Sequence, residues 1–151
     1  MPINFKNISE SNLIIDETYE GDVTLGAGGD PISKILKVGN SGGFRFTGKS
    51  KELKIPYCGL YTNLSDPDWP DFIDIVNGMF VYYGDNKKPN PILSTRGGNI
   101  ILQKSFEYLH TNQRSKIPPF FIFTRAQGRD VIFRGIAVPG FPGISNKEDL
   151  V

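Results

Sequence analysis

Cysteine and histidine each occur once in this chain, as Cys58 and His110, and tryptophan once, as Trp69. A single cysteine cannot close an internal disulfide, so the sequence suits a reducing compartment, and a cytoplasmic location is expected. One cysteine and one histidine are too few for an ordinary structural zinc site, and a Cys–His catalytic pair would require these two lone residues to meet, so neither is expected. No apolar run approaches the roughly 20 residues that a membrane-spanning helix needs, and no signal-peptide pattern opens the chain. Neither a metal nor a cofactor is expected.

What is present points to a turn-rich fold. The 151 residues include 17 glycines, 11 prolines and 12% aromatics, a composition that favours β structure over a helix bundle. The length suits one domain, residues 1–151, with a real hydrophobic core. The net charge is only +1 but unevenly spread. Residues 1–30 carry six acids against one base, and residues 31–146 carry eight acids against fifteen bases. Four of those eight acids are Asp66, Asp68, Asp71 and Asp74. Away from that acidic cluster the body is basic, as a surface for a phosphate backbone must be, although scattered surface lysines and arginines give the same count.

Along the chain, "FKNISESNLIIDETYEGD" lacks periodicity and reads as a segment wrapping the body. "GGDPISKILKVG" reads as a short helix with Asp30 as N-cap, Pro31 in the first turn and Gly39 beyond its end. "SGGFRFTG", "ELKIPYCGLYTN" and "NGMFVYYGDN" read as strands. "GNIILQKSFEYLHTNQR" is the main helix, with Ile101, Leu102, Ser105, Phe106 and Leu109 at helical spacing. "PPFFIFTRAQGRDVIFRGIAVPG" reads as two strands joined by a turn near Gly128. The expected fold is α+β, a curved, mostly antiparallel, barrel-like sheet with one main helix. "SNKEDLV" starts a further element rather than closing one, as expected of the N-terminal module of a longer protein.

The stretch "SDPDWPDF" holds Trp69 in a turn stiffened by two prolines, each of which restrains its own residue and the one before it. Such a turn can seat a tryptophan against the core as a plug or hold it still for a ligand. Pro70–Asp71 followed by Asp85–Asn86–Lys87 loosely matches a Mg²⁺ nuclease pattern, in which Asp71 and Asp85 would hold the metal. That chemistry wants its residues fixed along a strand, and Asp85 and Lys87 fall in a turn instead. Read as a unit, "DWPDFIDIVNGMFVYYG" supplies two flat faces, Trp69 and Tyr82, with Asp71 between them in sequence. A gripped nucleobase needs stacking on both faces and a hydrogen-bonding group at its edge. For cytosine a carboxylate fits, because the N4 amino group is a donor. Asp68 and Asp74 would favour a protonated Asp71 by repulsion. Asp74 competes with Asp71, and Tyr83 competes with Tyr82, for the pocket.

"GGDPISKILKVGNSGGFRFTG", "LYTNLSDPDWPDFID…GMFVYYGDNKKP", "RGGNIILQKSF", "PPFFIF" and "FRGIAVPG…EDLV" resemble, in order, the N-terminal domain of AspBHI-type restriction endonucleases. The resemblance covers nearly the whole chain. It implies an SRA-like fold that recognises 5-methylcytosine in duplex DNA by flipping the base into a pocket. It also implies a separate C-terminal nuclease domain, so that this chain is a recognition module and not itself the enzyme. Trp69, Asp71 and Tyr82 ahead of Gly84 match the aromatic–aspartate–aromatic order of such pockets. Arg45, placed toward DNA or solvent, and Lys87, Lys88 and Arg96 in the following loops are the expected groove and phosphate contacts.

Overall fold

The computed structural model of the chain describes residues 1–84, 97–141 and 143. Its centre is a five-stranded sheet built from β1 (Thr18–Tyr19), β2 (Phe44–Phe46), β3 (Cys58–Thr62), β6 (Phe120–Arg125) and β7 (Val131–Ala137). The strand order is β1-β7-β6-β3-β2. Every pairing is antiparallel except β3 with β6, which run parallel from Cys58 opposite Phe120 to Thr62 opposite Thr124. A separate hairpin pairs β4 (Phe72–Asp74) with β5 (Met79–Val81). The α+β class and the largely antiparallel sheet match expectation. The sheet stays open, with β1 and β2 as its edges.

Alternation along β3 and β6 divides the core in two, because successive side chains point to opposite faces. Cys58, Leu60, Phe120 and Ile122 face one cluster, which α2 (Gly98–His110) closes with Ile101. Phe123, with Val131 and Phe133 of β7, faces the other, closed by Ile32 and Leu36 of α1 (Pro31–Leu36) and by Phe5, Ile8 and Tyr19. The sheet is therefore covered on both faces, and the N-terminal segment does wrap the body.

Local chemistry explains the helices. Asp30 caps α1, accepting from the Ser33 N–H at 2.7 Å, and Pro31 occupies the first turn. The helix stops at Lys37, which takes the left-handed conformation at φ 54°, two residues before the expected Gly39. On α2, Ile101 and Ser105 are fully buried. Among the described residues the buried Ser105 hydroxyl has no hydrogen-bond partner.

Candidate functional site

The segment after β3 is held by its own polar side chains. The Asn63 carbonyl Oδ1 accepts from the N–H groups of Ser65 and Asp66, both at 3.0 Å, and Asp66 Oδ1 accepts from Asp68 N–H at 2.9 Å. Backbone bonds then tie Trp69 N–H to the Asp66 carbonyl and Asp71 N–H to the Trp69 carbonyl, at 3.1 and 2.8 Å. Asparagine and aspartate fold turns in this way by imitating a backbone acceptor. With Pro67 and Pro70 fixing φ, the path from β3 to Asp71 is specified at nearly every residue. Trp69 is left half-buried.

Asp71 is the buried acid of the segment, with 6% of its surface exposed. Its carboxylate accepts from the Tyr83 N–H at 2.7 Å and is hydrogen-bonded by the Thr62 hydroxyl. The Thr62 oxygen in turn accepts from Leu64 N–H at 3.1 Å, and Thr62 is itself 5% exposed. One side chain thus joins the end of β3 to the strand-exit residues after β5. Burial raises the Asp71 pKa, the bonds from Tyr83 and Thr62 oppose that, and the nearby charge of Asp66 adds to the rise. The expected direction is right and the expected cause is not. Loss of water dominates, and the neighbouring acid is Asp66 rather than Asp68 or Asp74.

Asp74 does not join Asp71. Its carboxylate accepts from the N–H groups of Val76 and Asn77 and from the Asn77 side chain at 2.6 Å, closing the hairpin turn. These bonds, led by the Asn77 side chain, hold its pKa below the ordinary value. The two tyrosines separate as well. The Tyr82 ring lies 6.1 Å from Phe44 and 5.8 Å from Phe80, centroid to centroid, while the Tyr83 side chain is 54% exposed. Tyr83 meets Asp71 through its backbone N–H, and the Tyr82 ring packs beside Phe44 and Phe80.

Two glycines let the chain close around Tyr82. A side-chain carbon on Gly43 would stand 2.9 Å from the Tyr61 carbonyl oxygen and 3.5 Å from the Tyr82 hydroxyl. Gly84 has φ +86°, and a carbon there would meet the Asn99 side chain at 2.6 Å. Thr62 and Gly43 were not singled out from sequence. Their only signal was position, a threonine ending a strand and a glycine pair opening one.

The expected DNA contacts fare differently. Arg45 points neither to DNA nor to solvent. It is 6% exposed, pairs with Asp30 at 2.6 Å and donates to the Gly42 carbonyl at 2.8 Å. Its position opposite Gly59 puts it on the α1 face, where the helix cap needs a counter-charge. Lys87, Lys88 and Arg96 lie outside the described residues, as does Asp85. In the basic loop around Lys49 and Lys54, both lysines pair with Glu52. Among the described residues no group of three or more metal-ligating side chains gathers, and no helix is long and apolar enough to cross a membrane.

The family model described as restriction endonuclease AspBHI N-terminal matches residues 13–151. A solved structure titled as the DNA recognition domain of the cytosine modification-dependent restriction endonuclease LpnPI superposes with a TM-score of 0.91 at 42% identity. That match covers 100% of this chain and 70% of the other. The DNA modification-dependent restriction endonuclease AspBHI superposes at 0.88 with 37% identity, over 98% of this chain and 70% of that one. No curated protein sequence matches.

Proposed function

This chain belongs to the restriction endonuclease AspBHI N-terminal family, and on that premise we propose that it is the recognition domain through which a modification-dependent restriction endonuclease reads modified cytosine in duplex DNA. The observation that carries the reading is the buried Asp71, fixed by Thr62 and the Tyr83 N–H at the base of the β4–β5 hairpin. Trp69 precedes it on a stiff turn, and Tyr82 follows the second strand. In this reading the target cytosine leaves the stack and enters between Trp69 and Tyr82, while Asp71 meets its Watson–Crick edge. An ionised Asp71 accepts from the N4 amino group, and a protonated one also donates to N3. Burial favours the second form. The mark is 5-methylcytosine, recognised by a pocket shaped for one added methyl. Chemistry is left to a nuclease domain C-terminal to this one in the parent protein.

The test is a binding panel of otherwise identical duplexes carrying cytosine, 5-methylcytosine or 5-hydroxymethylcytosine at one position. A buried methyl is worth about 0.8 kcal/mol by transfer and roughly 1–3 kcal/mol in a well-shaped pocket, so the expected preference is about 4- to 200-fold at fixed salt. Equal binding of all three duplexes sinks the reading of a modified base. A preference for hydroxymethylcytosine keeps the pocket and changes the mark.

A further inference from the structure

A duplex reader needs cations for the phosphates, and those singled out from sequence do not supply them among the described residues. The fold offers others. Because β3 and β6 run parallel and in register, Thr62, which holds Asp71, lies level with Thr124, and Arg125 comes next. The turn from Arg125 into β7 carries Arg129, so this turn and the Asp71 site occupy the same end of the sheet. Between the turn and loop 39–43 lies a cleft of about 290 Å³, lined by Asn40, Tyr61, Arg129 and the Asp30–Arg45 pair.

Loop 39–43 is a wall shared by the cleft and the Asp71 site. On one side Gly43 abuts the Tyr82 hydroxyl, and its carbonyl accepts from Tyr61 N–H at 2.7 Å. On the other side the carbonyls of Gly39 and Gly42 accept from Arg45. The charges around the cleft do not cancel. Arg45 is answered by Asp30, and the Asp130 carboxylate is engaged by the Gly21 N–H at 3.0 Å. Among the described residues no carboxylate forms an ion pair with Arg125 or Arg129, and both are exposed. Arg125 does not line the cleft itself but stands opposite Val131 in the β6–β7 ladder, and Val131 does line it. Arg129 is anchored at the cleft mouth by a hydrogen bond to the Gly26 carbonyl.

Resting on the reading above, we propose that this cleft seats a backbone phosphate of the same duplex, with Arg125 and Arg129 as its cations. A phosphate there would fix the register of the strand whose base enters the Asp71 site, since backbone contacts position and base contacts specify.

The experiment measures affinity for plain and modified duplexes from low to moderate salt, using the whole chain and its Arg125→Gln/Arg129→Gln double variant. The double variant should lose the same factor on both duplexes, and its salt slope should flatten by about 1 per arginine removed. Arg129→Lys, which keeps the charge, should retain most of the slope. A well-folded double variant with the wild-type slope overturns the proposal. So does a loss confined to the modified duplex, because a phosphate contact is blind to the base. Arg125→Gln alone decides the matter if the double variant melts low, since Arg129 also holds loop 22–29. The two readings fail separately. Equal wild-type binding of plain and modified duplexes defeats the base pocket, and the slope on plain duplex still judges the cleft.

Discussion

Asp71 and Asp74 sit on the same short hairpin, yet their surroundings are opposite. Asp71 is buried at its base, bridging β3 to the residue pair after β5, with a pKa pushed up by loss of water. Asp74 is at the turn, where three N–H donors hold its pKa down. One carboxylate is placed where its charge costs stability, and the other where its charge builds a turn. An ordinary folding role explains the second fully. The first also ties β3 to Tyr83, but at the cost of a buried charge, and it is the acid that the proposed function sets against the base edge.

The sharpest way to break this comparison is to remove each acid in turn. Asp71→Ala should bring the preference for a modified duplex from its expected value of about 4- to 200-fold down to near one. Binding to plain duplex should persist or rise, because a carboxylate has left a surface that meets a polyanion. Asp74→Ala should keep the preference and only lower the melting temperature. The comparison collapses if both variants lose the preference alike. Trp69→Ala comes next, with an expected loss of about 1–3 kcal/mol in binding the modified duplex, the worth of one stacked base. Its melting temperature should stay near wild type. A drop in stability that accounts for the lost binding would make Trp69 a core plug.

Thr62→Val tests whether Asp71 works as a positioned group. The change keeps the shape and removes the hydroxyl, leaving Leu64 N–H and one side of Asp71 without it, at a cost of about 1–3 kcal/mol in stability. The modification preference should fall toward that of Asp71→Ala while plain-duplex affinity holds. An unchanged preference would show that Asp71 needs no such partner. The smallest effect is on pH. A carboxyl whose folded pKa lies above its ordinary value of 3.8 contributes stability that is present below that value and lost as pH rises through the folded pKa. Asp71→Asn, which cannot ionise, should escape that loss. Its melting temperature relative to wild type should therefore rise from about pH 3 to neutrality, and a flat difference would remove the argument from burial.

The parts of this fold legible in the sequence are those set by neighbours along the chain. The Asp30 cap, the apolar face of α2 and the β6–β7 turn at Gly128 all rest on local spacing and turn chemistry. What escaped was decided by distant partners. β4 was not resolved as a strand because three residues after a proline carry no period. Arg45 looked available because nothing local says that Asp30 lies beside it. Thr62 reads as one more strand residue until Asp71 folds back upon it. The different surroundings of Tyr82 and Tyr83 likewise depend on Phe44 and Phe80, which are distant or uninformative in the sequence.

The parallel pairing of β3 with β6 also orders the assembly of the molecule in time. β6 and β7 meet across a short turn and can pair within about 1–10 μs, as hairpins do. β3 can join them only when the whole of 63–119 has been closed into a loop, and closure entropy must be met before the parallel ladder rewards it. That loop contains Trp69, Asp71 and Tyr82, whereas Arg125 and Arg129 belong to the early hairpin. The cationic edge is thus laid down by local contacts, and the surface proposed to hold a base is completed by the slowest, most distant ones. Substitutions that loosen β3 against β6 should slow folding. Those confined to the Trp69 turn should instead speed unfolding.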